Sequence, residues 1–338
     1  MSTEHPTLSL LARQSSSAFG NRPLLVNPPG PDAARQLDPL GSGHSIYLQW
    51  PDFQRHGDAN AATLGLETQP DGEFDHAIVF LARQRRLTDC LLAFAAAVAP
   101  GNRPIWLVGE NRAGIKASGK RLGEVADGLK KLDSARHCSL FAATNRMGNR
   151  FDLGAWLDAK SYPIPGAPMN LHRLPGVFGK EGLDAGTALL LESLPALEGD
   201  ILDVGCGCGV ISLWLKRQNP QATVYGLDAD SLAIASARHN SRALGLDVDW
   251  TCGDVYPESE QRFDHIVTNP PFHQGVATEL AIGQRLIAQA PDRLNPGGSL
   301  QLVCNRFLPW RQQMQQVFGA VETLAENGRF AVYRAVKT

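Results

Sequence analysis

The chain is short of everything that would mark an extreme. No apolar run reaches membrane-spanning length: the longest, around Leu91 to Ala99, holds far fewer residues than a bilayer-crossing helix needs. The N-terminus offers no basic, then apolar, then cleavable succession, so no secretory leader is expected and the cytoplasm is the expected compartment. Cysteine is scarce and scattered. Its six copies (Cys90, Cys138, Cys206, Cys208, Cys252 and Cys304) form no C-x-x-C pairs, which argues against structural zinc and against a secreted disulfide scaffold; no metal is expected. An excess of one charge is also missing, with 32 Lys and Arg against 34 Asp and Glu. What remains is an ordered globular protein, 43% hydrophobic and 20% charged, whose 338 residues exceed a single core and predict two domains.

The near-neutral total hides two opposed regions. From Arg83 to Arg150 there are thirteen Lys and Arg against five Asp and Glu, a net of +8; from Glu181 to Asp264 there are fourteen acidic residues against five basic, a net of −9. A basic first half suits a polyanion, and an acidic second half suits a cationic or hydroxyl-rich ligand. Two ordinary solvated surfaces would give the same counts, because sequence does not say which residues share a face.

In the second half, Ile201-Leu202-Asp203-Val204 reads as a buried strand running into Gly205-Cys206-Gly207-Cys208-Gly209 and then a helix, Val210 to Arg217. Glycines let a ligand approach the backbone closely. A dinucleotide fingerprint wants its third glycine where Val210 stands, which weakens a nicotinamide reading. Asp203 heads the loop and suits a cationic amino-acid end. The next strand, Thr223 to Leu227, ends at Asp228, placed for the two hydroxyls of a ribose. A third, Val248 to Cys252, leads to Asp254, a candidate acceptor for an adenine amino group. Three acidic strand ends around a glycine loop predict a pocket for S-adenosylmethionine. Cys206 and Cys208 read as small residues of that loop.

Farther on, the strand containing Ile266 and Val267 stops at Asn269-Pro270-Pro271-Phe272, since neither proline can donate to a sheet and both fix their φ angles. Such a stiff exit can aim the Asn269 amide oxygen and the Pro270 carbonyl oxygen at one planar amino group. Two acceptors on its protons turn the nitrogen lone pair outward toward an electrophile. Phe272 offers a face for a nucleobase, and stacking of roughly 1–3 kcal/mol offsets much of the cost of extruding it. An ordinary turn closing a strand is the plain alternative. Phe178 and Lys180, on a Gly-flanked loop, and His273 and Arg306 are candidate substrate contacts; Asp184 reads as the cap of a helix over Ala188 to Leu194.

The first half carries a fainter version of this pattern. Strands are expected at Leu24–Val26, Ile46–Trp50, Ile78–Leu81 and Ile105–Val108, with a helix over Leu87–Val98, which implies a mostly parallel sheet covered by helices. Phe74-Asp75-His76 repeats as Phe263-Asp264-His265, and the following Pro-Gly turns recur in the same order. The repetition implies a duplication whose first copy lost the chemistry: Leu81-Ala82 stand where the second copy has prolines. Asn27-Pro28-Pro29-Gly30 lacks the aromatic and reads as a loop. The expected organisation is a degenerate domain over 1–157, a linker over 158–176 containing Pro163, Pro165, Pro168 and Pro175, and a catalytic domain over 177–338. Gly298–Asn305, a helix over Arg311–Phe318 and Phe330–Val336 would complete the second sheet, the last strand as an antiparallel hairpin.

Taken together, the glycine loop, the acidic strand ends and Asn269-Pro270-Pro271-Phe272-His273-Gln274-Gly275, with the stretches Phe178–Leu191 and Gly328–Ala335, resemble the RsmC/RlmG family of bacterial ribosomal RNA guanine-N2 methyltransferases. The resemblance implies two tandem class I methyltransferase-like (Rossmann-like) α/β domains, with the first helping to recognise RNA. It implies S-adenosylmethionine held by Asp203, Gly205, Cys206, Gly207, Gly209, Asp228, Ala229, Asp254, Val255 and Asn269, and catalysis by Asn269, Pro270, Pro271 and Phe272. The implied partner is 16S ribosomal RNA, within the small subunit or an assembly intermediate. Large-subunit RNA, a protein glutamine or adenine N6 presents a similar planar amine, and a non-catalytic assembly factor is the alternative from another class.

Overall fold

Short aliphatic runs become buried parallel strands in both halves of the chain. The computed structural model describes residues 5–14, 20–38, 42–58, 60–179, 182–270 and 276–338. Two compact units divide it, Met1–Trp156 and Leu157–Thr338. The first contains α1 (Pro6–Leu11), β1 (Pro23–Val26), α2 (Pro31–Leu37), β2 (His44–Tyr47), α3 (Trp50–His56), β3 (Ala62–Leu64), β4 (His76–Phe80), α4 (Arg85–Val98), β5 (Pro104–Glu110), α5 (Ile115–Leu122), β6 (Ala126–Ala135) and β7 (Cys138–Asn145). The second contains β8 (Asp158–Tyr162), β9 (Met169–Arg173), α6 (Ala185–Ser193), β10 (Asp200–Val204), α7 (Val210–Gln218), β11 (Thr223–Asp228), α8 (Ser231–Leu244), β12 (Asp249–Cys252), β13 (Phe263–Thr268), α9 (Val276–Arg293), β14 (Leu294–Asn305), α10 (Trp310–Phe318), β15 (Glu322–Glu326) and β16 (Phe330–Val336). Among the described residues no helix is long and apolar enough to cross a membrane.

Each unit is built on a seven-stranded sheet, and the strand order is the same in both: β3-β2-β1-β4-β5-β7-β6 and β12-β11-β10-β13-β14-β16-β15. Five strands of each run parallel, and the last two form an antiparallel hairpin at the edge. The core of the second unit gathers Leu202, Ile266, Leu286, Leu300 and Trp310 between sheet and helices. In this topology the order reverses between β10 and β13, and a crevice opens beyond the carboxyl ends of the strands at such a switch point.

Matching registers show what the repeated Phe-Asp-His does. Phe74 and Phe263 are fully buried. The following aspartates latch the start of the neighbouring strand: Asp75 accepts from Asn21 N at 3.0 Å and Asp264 from Asp200 N at 2.9 Å. Gly20 and Gly199 precede the latch with φ of +67° and +76°, and a Cβ on either would strike the aspartate side chain. The shared motif is therefore a device of the sheet's amino end. At the carboxyl end the registers equate Leu25 with Asp203, Tyr47 with Asp228 and Phe80 with Asn269. The first copy keeps the latch and has apolar or aromatic groups at those three polar positions. Asn27, at the head of the Asn-Pro-Pro-Gly loop, occupies the place of Gly205: it shares the left-handed φ (59°) and the same bond to the next strand, Asn27 N to Ile46 O at 2.8 Å.

Two expectations need correction. Ile46–Trp50 is not one strand, because β2 ends at Tyr47 and Trp50 opens α3, with Pro51 pre-set for a first helical turn. Residues 158–176, expected as a linker, contain the antiparallel hairpin β8–β9 with alternate residues such as Tyr162, Met169 and Leu171 buried. Pro163, Pro165 and Pro168 all fall in the connection between its strands, so the paired segments donate normally. The hairpin packs within the second unit: Asn240 on α8 exchanges bonds with His172 backbone (2.7 and 2.8 Å) and also donates to Cys208 O at 2.9 Å.

Candidate active site

The glycine loop leaves β10 on three left-handed residues, Gly205 (φ 73°), Gly207 (58°) and Gly209 (93°). An L side chain is disfavoured by roughly 1–2 kcal/mol in that region, which is why glycine stands at each turn. Their surroundings differ. A Cβ on Gly209 would lie 2.8 Å from the Trp250 ring, so that glycine serves packing, whereas a Cβ on Gly205 or Gly207 meets nothing within 4 Å. Open space above these two is the room a ligand needs for close backbone approach. Gly205 N and Cys206 N both donate to Leu227 O, at 2.8 and 3.0 Å, and Gly207 N donates to Asp228 at 2.9 Å, so loop and β11 form one rigid cradle. Cys206 and Cys208 are buried, and burial pushes both thiols up, away from the reactive thiolate.

Asp203 is fully buried beneath this loop. One carboxylate oxygen accepts from Ser212 N at 3.0 Å and Ser212 Oγ at 2.5 Å; the other, Oδ1, has no partner among the described residues. Burial pushes its carboxyl up to about 7. An orphaned buried oxygen of this kind is what an ammonium group would satisfy. Asp228 accepts from Gly207 N and from Asp230 N, each at 2.9 Å, and burial raises its pKa as well. Ala229 follows it, half-buried.

Asp254 stands beyond β12, but both its oxygens accept from Arg285, at 2.9 and 2.7 Å. The expected adenine acceptor is thus a carboxylate already gripped by a guanidinium. Next to it Val255 has φ of +68°, and Tyr256 N bonds back to Asp254 O at 2.8 Å, closing a γ-turn around a β-branched residue. Such a conformation costs on the order of 1–3 kcal/mol and clusters at ligand clamps.

Asn269 directly follows β13, whose neighbour in register is β10, with Thr268 opposite Val204 and Thr268 Oγ1 donating to Val204 O at 2.8 Å. The glycine cradle and the Asn-Pro exit thus leave adjacent strands at the switch point. The Asn269 amide nitrogen donates to Asp184 Oδ2 at 3.0 Å and to Thr187 Oγ1 at 2.8 Å. Asp184 also caps α6, accepting from Thr187 N at 3.0 Å. Pro270 is buried. Phe178 is 53% exposed on the loop before α6. Arg306, exposed past the end of β14, contacts Asn327 O at 3.2 Å and Glu326 at 3.7 Å, beside Phe307, which is 82% exposed. Pro271, Phe272, His273 and Lys180 lie outside the described residues. Ser212, Asp184 and Thr187 went unnoticed as site residues; Asp184 had signalled only its capping role.

Comparison with known proteins agrees with this geometry. The profile "Methyltransferase small domain" matches residues 168–334, and "Methyltransferase small domain N-terminal" matches 9–160. Ribosomal RNA small subunit methyltransferase C of Stutzerimonas stutzeri is 38% identical over 336 residues, covering 98% of this chain and 99% of its own. The chain belongs to the ribosomal RNA small subunit methyltransferase C family. A second member, from Ectopseudomonas mendocina, is 41% identical over 333 residues, with 98% and 99% covered. Among solved structures, the T. thermophilus 16S rRNA N2 G1207 methyltransferase (RsmC), in complex with AdoMet and guanosine, superposes with a TM-score of 0.83 at 27% identity, covering 99% of this chain and 92% of that one.

Proposed function

We propose that the protein transfers a methyl group from S-adenosylmethionine to the exocyclic N2 of a guanine in 16S ribosomal RNA of the small subunit, in the cytoplasm. The observation that carries this reading is the pairing of β10 with β13, which sets a glycine cradle beside an Asn-Pro exit on neighbouring strand ends. Full-length likeness to relatives named ribosomal RNA small subunit methyltransferase C, and to a solved 16S rRNA N2 G1207 methyltransferase, supports it.

The residues fit the cofactor. The unpartnered Asp203 Oδ1 suits the ammonium of its methionine end, the open space over Gly205 and Gly207 suits its backbone-hugging middle, and Asp228 suits the ribose. Ala229 and the strained Val255 border the adenine end. S-adenosylmethionine supplies a methyl group on a positively charged sulfur. Asn269 Oδ1 and the Pro270 carbonyl accept the two N2 protons of guanine, hold its lone pair toward that methyl, and so raise the rate by orientation. The role of stacking on the base is assigned to Phe272 from its place in the Asn-Pro-Pro-Phe sequence. Arg306 and the exposed Phe307 form the rim that meets flanking RNA, as does Phe178. The first unit supplies basic side chains for the same RNA: Arg83, Arg85, Lys116, Lys120, Lys130, Lys131 and Arg150 are exposed and form no ion pair among the described residues.

Kinetics of Asn269→Ala test the assignment. The expected result is a fall in kcat on the order of 100-fold with the Kd for S-adenosylmethionine held within about twofold. Equal losses in both would make Asn269 a cofactor-binding residue alone.

A further inference from the structure

An asparagine side chain has two faces of opposite character, and which one meets the substrate decides whether it accepts or donates. A carboxylate can only accept, so whatever part of Asn269 faces Asp184 must be the amide nitrogen. Asp184 Oδ2 at 3.0 Å and Thr187 Oγ1 at 2.8 Å take up both amide hydrogens. Among the described residues no donor reaches Asn269 Oδ1. The turned amide would place its nitrogen where a guanine amino group approaches and its oxygen against a carboxylate, an arrangement with two repulsions. We propose that Asp184 and Thr187 are positioning residues that lock the polarity of the Asn269 amide, making it an obligate acceptor and selecting amino groups over carbonyl groups as substrate.

The lock is built from a helix start. Asp184 caps α6 by accepting from Thr187 N at 3.0 Å, and Thr187 is 7% exposed, so the same turn fixes the height and direction of both acceptors. Gly186 lies between them, where a Cβ would sit a tight 3.0 Å from Asp184 Oδ2 and 3.4 Å from the Phe330 ring. A residue at the far side of 85 positions of sequence is thereby tied to the Asn-Pro exit. This inference rests on the reading of Asn269 Oδ1 as the acceptor of the methylated amine.

The experiment removes the acceptors one at a time. Asp184 Oδ2 takes both Thr187 N and Asn269 Nδ2, so an Asn at 184 whose oxygen caps α6 presents that same oxygen to Asn269. Asp184→Ala should lower methyl transfer to small-subunit ribosomal RNA about 10- to 100-fold in kcat in the folded protein, with the Kd for S-adenosylmethionine unchanged, and Asp184→Asn should restore most of that loss. Asn269→Asp sets two carboxylates against one another and should lose at least as much as Asp184→Ala. Thr187→Val, which leaves the backbone cap in place, should lose activity where Thr187→Ser retains it. If folded, cofactor-binding Asp184→Ala and Thr187→Val keep wild-type kcat while Asn269→Ala is inactive, the lock is refuted and the role of Asn269 survives. If Asn269→Ala is itself fully active, the underlying reading falls.

Discussion

At the residue scale, the site depends on a few polar atoms placed where water cannot reach. Asp203 is the clearest. Its pKa of about 7, raised by burial, means that the ligand-free fold holds a proton that an unfolded chain gives up near pH 4. Stability from this group is therefore complete at low pH, declines as pH rises from about 4, and is gone above about 7. A bound ammonium reverses the preference and favours the carboxylate. Affinity for S-adenosylmethionine should rise between about pH 6 and 8, with proton release on binding that calorimetry in buffers of different ionisation enthalpy detects. Asp203→Asn should weaken binding and abolish both the release and the pH dependence; an unchanged slope would show that Asp203 does not face the cofactor. The place of Asp203, buried at the end of a strand beneath a glycine loop, was legible in sequence, because an acidic residue followed by alternating glycines has few structural uses. The link from Asp184 to Asn269 was not, since the capping role fully accounted for Asp184 and the partners are far apart along the chain.

Elements explain why the two halves look alike in sequence where they do. The Phe-Asp-His repeat marks the duplication in sequence, and its aspartates act at the end of the sheet opposite Asn269, as latches on β1 and β10. Asp264 also accepts from Asn295 Nδ2 at 2.8 Å, and these bonds hold its carboxyl below the usual range. Asp75→Ala and Asp264→Ala should each lower stability in urea by about 1–2 kcal/mol, as expected for losing bonds to a charged acceptor, with kcat of the folded protein nearly unchanged. The Asp264→Ala penalty should shrink as pH falls through and below about 4, where a carboxyl with a depressed pKa finally takes its proton. A large drop in kcat at unaltered stability would contradict the latch. Other equivalences hide from sequence altogether: Asn145 Nδ2 donates to the carbonyls of Ala96 and Ala99 around the C-terminal end of α4 (2.9 and 2.8 Å), and Lys337 Nζ donates to the carbonyls of Pro291 and Leu294 around the C-terminal end of α9 (2.6 and 2.8 Å). An amide and an ammonium do one job, and no alignment of letters would pair them. The β8–β9 hairpin was missed for a different reason: proline clustering was mistaken for a property of the whole segment when it belonged to the turn.

For the whole molecule, one fold appears twice and chemistry once. The strand order is identical in the two units, but the positions equivalent to Asp203, Asp228 and Asn269 hold Leu25, Tyr47 and Phe80, and among the described residues the first unit's excess of basic side chains stands exposed. All five acids between Arg83 and Arg150 pair with arginines, so the regional surplus counted in sequence is real surface charge. Under the proposed function, such a division would leave the second unit to act on one base while the first supplied sequence-independent attraction to RNA. The most direct measurement is nucleoside analysis by mass spectrometry of small-subunit ribosomal RNA incubated with methyl-labelled S-adenosylmethionine and the purified protein. Label recovered as N2-methylguanosine, and absent with Asn269→Ala, is the predicted result; label in another nucleoside, in large-subunit RNA alone or in protein would contradict the account.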